Sequence, residues 1–288
     1  MKIAIASGKG GTGKTTVAVT LFHYIGEVCK KKAHLLDCDV EEPNDALFLS
    51  PLNLVSQKMT HQLVPVIDAT ICTFCKKCAD WCAFNAISII KNHQFAHIDA
   101  SLCHSCGACL IACPENAITE KPHPLGTITR YITENGSEFT EGRLTVGSAM
   151  QTLLIKKLKR EENNPTDIQI LDAPPGTSCP VVETISDVDY VILVTEPTPF
   201  GLHDLKIMTE LLNELKKPFG ILVNKAGLGS HEVYSYIQQN NFEFLGEIPF
   251  SRNFAGKYST GEILKDFPEE LENIYREIVQ KIESKFRL

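Results

Sequence analysis

One stretch near the amino terminus constrains everything that follows it: Gly8-Lys9-Gly10-Gly11-Thr12-Gly13-Lys14-Thr15-Thr16. It comes after a short apolar run, Ile3-Ala4-Ile5-Ala6, and before Val17-Ala18-Val19-Thr20-Leu21-Phe22. That order predicts strand, glycine-rich turn, helix. The spacing Gly8-x4-Gly13-Lys14-Thr15 fits the G-x-x-x-x-G-K-[ST] phosphate-binding loop. Glycines at Gly8, Gly10, Gly11 and Gly13 let successive backbone N–H groups point inward without Cβ clashes, making an anion nest. The helix start adds its partial positive charge at the same spot. Lys14 supplies a full charge to the outer phosphates and Thr15 a hydroxyl to Mg²⁺, with Thr12 and Thr16 completing the cradle.

A chain of 288 residues has room for one large domain or two ordinary ones. A 43% hydrophobic content is ample for a buried core. The formal net charge of −7 argues against non-specific nucleic-acid binding as a main activity. No apolar run approaches the ~20 residues needed to cross a bilayer. The chain runs straight into its first strand without a signal-peptide pattern. A cytoplasmic protein is the expectation, with eleven cysteines available to metal rather than to disulfides.

Those cysteines have a pattern. Cys72-Thr73-Phe74-Cys75-Lys76-Lys77-Cys78-Ala79-Asp80-Trp81-Cys82 is followed, 21 positions after Cys82, by Cys103-His104-Ser105-Cys106-Gly107-Ala108-Cys109-Leu110-Ile111-Ala112-Cys113-Pro114. Both runs read C-x2-C-x2-C-x3-C, the spacing of bacterial two-cluster ferredoxins, in which the fourth cysteine of each run ligates the other cluster. Cys72, Cys75, Cys78 and Cys113 are thus expected on one [4Fe–4S] cluster, and Cys103, Cys106, Cys109 and Cys82 on the second. Structural zinc sites use separated cysteine pairs or include histidine, so this repeat favours iron–sulfur. Ala86-Ile87-Ser88-Ile89 and Ala117-Ile118-Thr119 repeat as well and predict paired short strands. Ala83 stands where a proline often follows the fourth cysteine, while Pro114 is present in the second run, so the first cluster is expected to differ in potential or lability. His97 and His104 lack ligand spacing and read as surface residues.

Around this insertion the α/β rhythm is regular. Ala33–Asp37 is a second strand, ending in Asp37-Cys38-Asp39. A carboxylate at the carboxyl end of a parallel strand lies on the ligand side of the sheet, although either aspartate there is also suited to capping a turn. Thr127–Ile132 predicts a strand and Asn135-Gly136 a turn. Gly147 to about Arg160 carries Met150, Leu153, Leu154 and Leu158 at helical spacing, favouring a core helix over a partner-facing one. A polar loop follows at 161–165. Ile168–Asp172, Asp189–Thr195, Phe219–Asn224 and Phe242–Pro249 predict further strands, and Gly201–Leu215 a helix. The terminal helix sets Leu271, Ile274, Ile278, Ile282 and Phe286 on one face. From Asp266 onward it has six acids against four bases, a balance that suits packing on the sheet rather than an anionic membrane surface.

The loop with its two lysines, Lys9 and Lys14, resembles the deviant phosphate loop of the MinD/ParA/Mrp and nitrogenase iron protein superfamily. The whole chain resembles MinD-type ATPases containing an inserted ferredoxin domain. The resemblance implies a doubly wound, mostly parallel α/β sheet formed by residues 1–60 and 124–288. Residues 61–123 would be a small α+β ferredoxin-like insertion. It implies a homodimer joined through the nucleotide face, with Lys9 reaching the partner's phosphates. Asp39 would position the attacking water and Asp37 support it. Asp172, opening Asp172-Ala173-Pro174-Pro175-Gly176, would hold Mg²⁺ through water, and the Gly176 N–H would sense the γ-phosphate. Asn224 would contact the purine and Pro249 border it. The absence of an N-K-x-D aspartate after Asn224-Lys225 favours ATP over GTP. Cys179 follows Asp172 by seven positions, as does a cluster ligand of nitrogenase iron protein. A bridging cluster needs a second nearby cysteine, and none is found, so Cys179 reads as a small buried residue, with a place near the dimer axis as an acceptor-side or transient ligand as the alternative. The implied activity is ATP hydrolysis coupled to electron transfer through two [4Fe–4S] clusters, with a redox or Fe–S acceptor protein as partner. The alternative is an Fe–S assembly or carrier ATPase, although those carry a C-x-x-C that has no counterpart after Cys113.

Overall fold

The structure is a computed structural model and describes residues 1–161 and 168–286. Positions 162–165 of the expected polar loop lie outside the described residues. In chain order the strands are β1 (Lys2–Ala6), β2 (Ala33–Asp37), β3 (Leu52–Ile67), β4 (Ile87–Ile90), β5 (Phe95–Ile98), β6 (Ile118–Thr133), β7 (Glu138–Leu144), β8 (Ile168–Asp172), β9 (Tyr190–Thr195), β10 (Phe219–Ala226) and β11 (Phe244–Pro249). The helices are α1 (Lys14–His23), α2 (Lys77–Asp80), α3 (Ala108–Ala112), α4 (Gln151–Leu158), α5 (Cys179–Ile185), α6 (Pro199–Glu214), α7 (Glu232–Gln239), α8 (Arg252–Ser259) and α9 (Glu269–Phe286). Two compact units divide the chain: Met1–Gln57, Ile128–Arg143 and Ile155–Leu288 in one, Lys58–Thr127 and Leu144–Leu154 in the other.

The first unit is built on a parallel sheet. The order runs β11-β10-β9-β1-β8-β2-β7 and continues through β6 and β3. Parallel pairing joins β1 to β8 and β9, β2 to β7 and β8, and β10 to β9 and β11. The central strands are buried along nearly their whole length, as a parallel sheet covered on both faces requires, and β9 reads as a nearly continuous apolar run. β7 pairs with β2 although its sequence, Glu138-Phe139-Thr140-Glu141, has no such run. It enters the sheet because β6 turns back at Asn135-Gly136, where Gly136 has φ +76° and the Thr133 N–H donates to the Ser137 carbonyl at 2.9 Å. Leu271, Tyr275, Ile278, Val279 and Ile282 of α9 are buried in the same core as Ile3, Ile5, Leu35 and Ile192, so the terminal helix packs on the sheet. Among the described residues no helix is long and apolar enough to cross a membrane.

Register places the ligand end of the sheet. Ile5 pairs with Asp172 and Asp37 with Asp172, so β1, β2 and β8 finish at the same level. The glycine-rich turn leaves β1 there and feeds α1.

The second unit is an internal duplicate. The cysteine spacing of the first run recurs 31 residues later, as Cys72 and Cys103 or Cys82 and Cys113 show. The Asp68 carboxylate accepts from Thr70, and the Asp99 carboxylate from Ser101. Phe74 and Ser105, Lys76 and Gly107, Asn85 and Asn116 all have positive φ. The halves are tied reciprocally: the Asp68 N–H donates to the Ala117 carbonyl and the Asp99 N–H to the Ala86 carbonyl, each at 2.8 Å. The repeated apolar segments do not pair with each other as expected. β4 pairs antiparallel with β5, and Ile118 opens the long β6. Each repeat therefore pairs with the chain that leads into the other's cysteines. Within α4, Leu154 and Leu158 are fully buried, which makes it a core helix.

Candidate functional site

The phosphate loop is braced by its neighbours. Gly11 and Gly13 have φ of +77° and +96°, a region that disfavours any Cβ. A Cβ on Gly8 would lie 2.6 Å from the Asp204 carbonyl oxygen of α6, so only glycine allows that approach. Lys14 is buried, and the buried Thr12 hydroxyl has no hydrogen-bond partner. Asn224 donates from Nδ2 to the Thr12 carbonyl at 2.8 Å, and Lys225 from Nζ to the Gly11 carbonyl at 2.7 Å. Asn224 thus braces the loop from β10, while Pro249 ends β11 in an exposed position. Gly176, at φ +93°, donates its N–H to the Ser7 carbonyl at 3.2 Å, which ties the loop after β8 to the phosphate loop.

Lys9 is engaged within its own chain. Its Nζ lies 2.6 Å from Glu196 Oε1 and 5.8 Å from the centre of the Phe200 ring. Glu196 Oε2 also meets Lys225 at 3.1 Å. Burial works against the Glu196 carboxylate, but the two lysines prevail and hold its pKa below the usual value. Glu196 had no motif to mark it.

A group of buried carboxylates sits at the ends of β2 and β8. Thr15 donates from Oγ1 to Asp172 Oδ2 at 2.8 Å, while Asp172 Oδ1 has no partner. Asp37 accepts from the N–H groups of Asp39, Asn44 and Asp45 at 3.1, 2.8 and 3.1 Å. It therefore caps the segment that carries Asp39. Asp39 is half-buried; burial raises its pKa and the nearby Lys14 pulls it back. Burial pushes Asp172 up to about 6, against the pull of Lys14 and Thr15. Burial pushes Asp37 well up, and the Asp172 charge adds to it. Asp45 is fully buried with neither carboxylate oxygen partnered. Sequence reasoning missed it, because a lone aspartate past a strand end carries no spacing signal. Three buried carboxylates, three orphaned carboxylate oxygens among them, and a threonine hydroxyl are the donor chemistry that a hard divalent cation takes, so these residues fit Mg²⁺.

In the second unit the cysteines sort into two rings. Cys72, Cys75, Cys78 and Cys113 line one cavity, together with Ile67, Phe74, Ile89 and Ile118. Cys82, Cys103, Cys106 and Cys109 line another, together with Pro65, Phe84, Ala86 and His104. Each ring takes three thiols from one run and the fourth from the other. Amide N–H groups of Phe74, Ala86, Ser105 and Ala117 point at the sulfurs of Cys72, Cys82, Cys103 and Cys113, at 3.3 to 3.4 Å. Burial raises the pKa of Cys78 and Cys103 and pushes Cys109 up to about 11. Among the described residues no three His, Cys, Asp or Glu side chains converge closely enough for a single metal ion. The thiols surround voids instead, the arrangement a multi-atom iron–sulfur group needs and a lone zinc ion does not. The rings differ in their cover. Phe84 and His104 stack at 3.6 Å beside the second, where the first has Glu115 and Thr73 at the corresponding positions. His97 and His104 are exposed. Cys179 is exposed too, contrary to the buried placement expected, because it opens α5 directly after the surface loop Pro175–Ser178.

Residues 3–264 match the family model described as CobQ/CobB/MinD/ParA nucleotide binding domain. The chain belongs to this family. It is 30% identical over 291 residues to an uncharacterized protein of Methanocaldococcus jannaschii, covering 98% of this chain and 96% of that one. The iron-sulfur cluster carrier protein of the same organism is 24% identical over 304 residues, covering 99% and 86%. In fold the chain resembles the cell division ATPase MinD of Pyrococcus furiosus, with a TM-score of 0.56 at 17% identity over 98% of each chain. The P-loop ATPase fold, α/β with a mostly parallel central sheet, follows from these likenesses together with the observed sheet.

Proposed function

We propose that this protein is a Mg-ATPase holding two [4Fe–4S] clusters, in which nucleotide-dependent closure of a homodimer is coupled to electron transfer. The observation that carries the reading is the sorting of eight cysteines into two rings of four, each completed by a cysteine from the other run. Such clusters, once bound, supply one-electron transfer at potentials set by hydrogen bonds to sulfur and by solvent exposure. The chain supplies both controls, through the four amide donors and through the mainly apolar lining of the first ring. Lys14 and the loop amides bind the phosphates, Thr15 and Asp172 hold the cation's shell, and Asp39 orients water. Lys9 leaves Glu196 to reach the partner subunit's nucleotide. A redox acceptor protein takes the electron.

A second reading, an Fe–S carrier ATPase, is favoured by the likeness to the iron-sulfur cluster carrier protein. Against it, the cysteines form complete sets of four with Cys78, Cys103 and Cys109 buried, which suits resident rather than transferable clusters. Electrochemical EPR titration of the anaerobic protein with and without Mg-ATP separates the two. Signals whose potential or line shape moves with nucleotide, and do not move in Lys14→Ala, support electron transfer. Signals indifferent to nucleotide, with cluster passing intact to an apo-acceptor, support the carrier.

A further inference from the structure

Asp45 is the least explained ionisable group in the first unit. It lies in a short 3-10 turn, Asp45–Leu47, and is completely buried. Its N–H is used, donating to Asp37, but both carboxylate oxygens lack a partner. What they face, within hydrogen-bonding reach, is the Asp172 carboxylate, whose Oδ1 likewise accepts from no other group. Burial and the Asp37 and Asp172 charges push the Asp45 carboxyl well up, so without a cation a shared proton is what joins the two carboxyl groups, and the oxygens it does not serve lose their hydration without return. Something that offers positive charge and donors belongs there. Thr15, which resides on the phosphate loop, already donates to the other oxygen of Asp172.

We propose that Asp45 is a positioning residue for the divalent cation of the nucleotide site, accepting hydrogen bonds from the cation's water shell together with Asp172. This rests on the Mg-nucleotide reading given above. Mg²⁺ dehydrates reluctantly and keeps several waters, so two carboxylates facing its shell match it better than direct ligation would. The arrangement has a consequence for the segment 39–45. Asp37 clamps that segment at Asp39, Asn44 and Asp45. A cation shared by Asp45 and Asp172 ties the same segment to the end of β8, so that arrival of the cation fixes where Asp39 stands.

The test uses Mn²⁺ with ADP on the full chain, following the EPR signal of free aqueous Mn²⁺, in wild type, Asp45→Asn and Asp45→Ser. The expected result is Mn²⁺ affinity in the presence of ADP lowered about 10- to 100-fold in both variants, the range for loss of a group that orients metal ligands. ADP affinity in EDTA is expected to be unchanged. Asp45→Asn offers the orphaned Asp172 oxygen an N–H donor, so its metal-free thermal midpoint is expected at or above that of wild type. Undiminished Mn²⁺ affinity in the folded variants overturns the proposal and leaves the nucleotide reading intact. Variants that lose stability equally with and without Mn²⁺-ADP show a purely structural Asp45 and overturn it as well. A wild type that binds no Mn²⁺ with ADP overturns the nucleotide reading, and the proposal with it.

Discussion

The sheet unit packs Ile3, Ile5, Leu35, Phe139, Ile192 and the buried face of α9 into one continuous core. The cysteine unit places Cys78, Cys103 and Cys109 where such a core would have leucines, beside a few residues such as Phe74, Ile87 and Val64. Burial of apolar surface stabilises the first, at roughly 25 cal/mol per Å². The second has little of that and surrounds two voids instead. On the function proposed above, one unit folds around its own side chains and the other around what its thiols hold, because binding to a site absent from the unfolded chain is folding free energy.

The largest expected effect follows directly. Anaerobic iron chelation should strip amide hydrogen-exchange protection from residues 58–127 by orders of magnitude and leave β1, β8 and β9 protected. Protection retained across 58–127 after complete iron removal would erase the contrast between the units.

A smaller effect belongs to the sheet unit alone. His34 is buried between β2 and β7, its Nε2 2.8 Å from Thr140 Oγ1, and burial lowers its pKa from 6.5 to about 4. The folded imidazole refuses a proton that the unfolded chain accepts. Stability is therefore lost as pH falls from about 6.5 towards about 4, by roughly 3 kcal/mol at the lower end. Chemical denaturation of wild type against His34→Gln across that window should show this slope in wild type only. Parallel slopes would assign the acid sensitivity elsewhere.

The smallest effect measures what one polar contact is worth in a well-packed core. Tyr275 OH meets Thr20 Oγ1 at 2.5 Å, and Thr20 is also bonded to the Thr16 carbonyl. Tyr275→Phe should cost about 1 kcal/mol, against the collapse expected in the other unit on losing a single metal group. A loss of several kcal/mol would show the sheet core to be more dependent on that contact than its packing suggests.

What was legible in the sequence was local. The phosphate loop and the cysteine runs are strings whose spacing alone constrains geometry, and Cys113 lines the cavity of the first run and Cys82 that of the second. What was not legible depends on distant partners. β7 is recruited by a hairpin rather than by its own apolar pattern, and residues 144–154 cluster with the cysteine unit although 61–123 is where the composition changes. Asp37, expected near the chemistry, spends its oxygens on three backbone N–H groups, while Asp45 is left with none. Glu196 matters because Lys9 and Lys225 converge on it from elsewhere in the chain. Spacing cannot encode such convergence.

The most direct test of the central claim is the iron, zinc and acid-labile sulfide content of the anaerobically reconstituted full chain. The account predicts iron and sulfide in equal amounts, enough for two four-iron clusters per chain. Zinc in place of iron, or iron without sulfide, would contradict it.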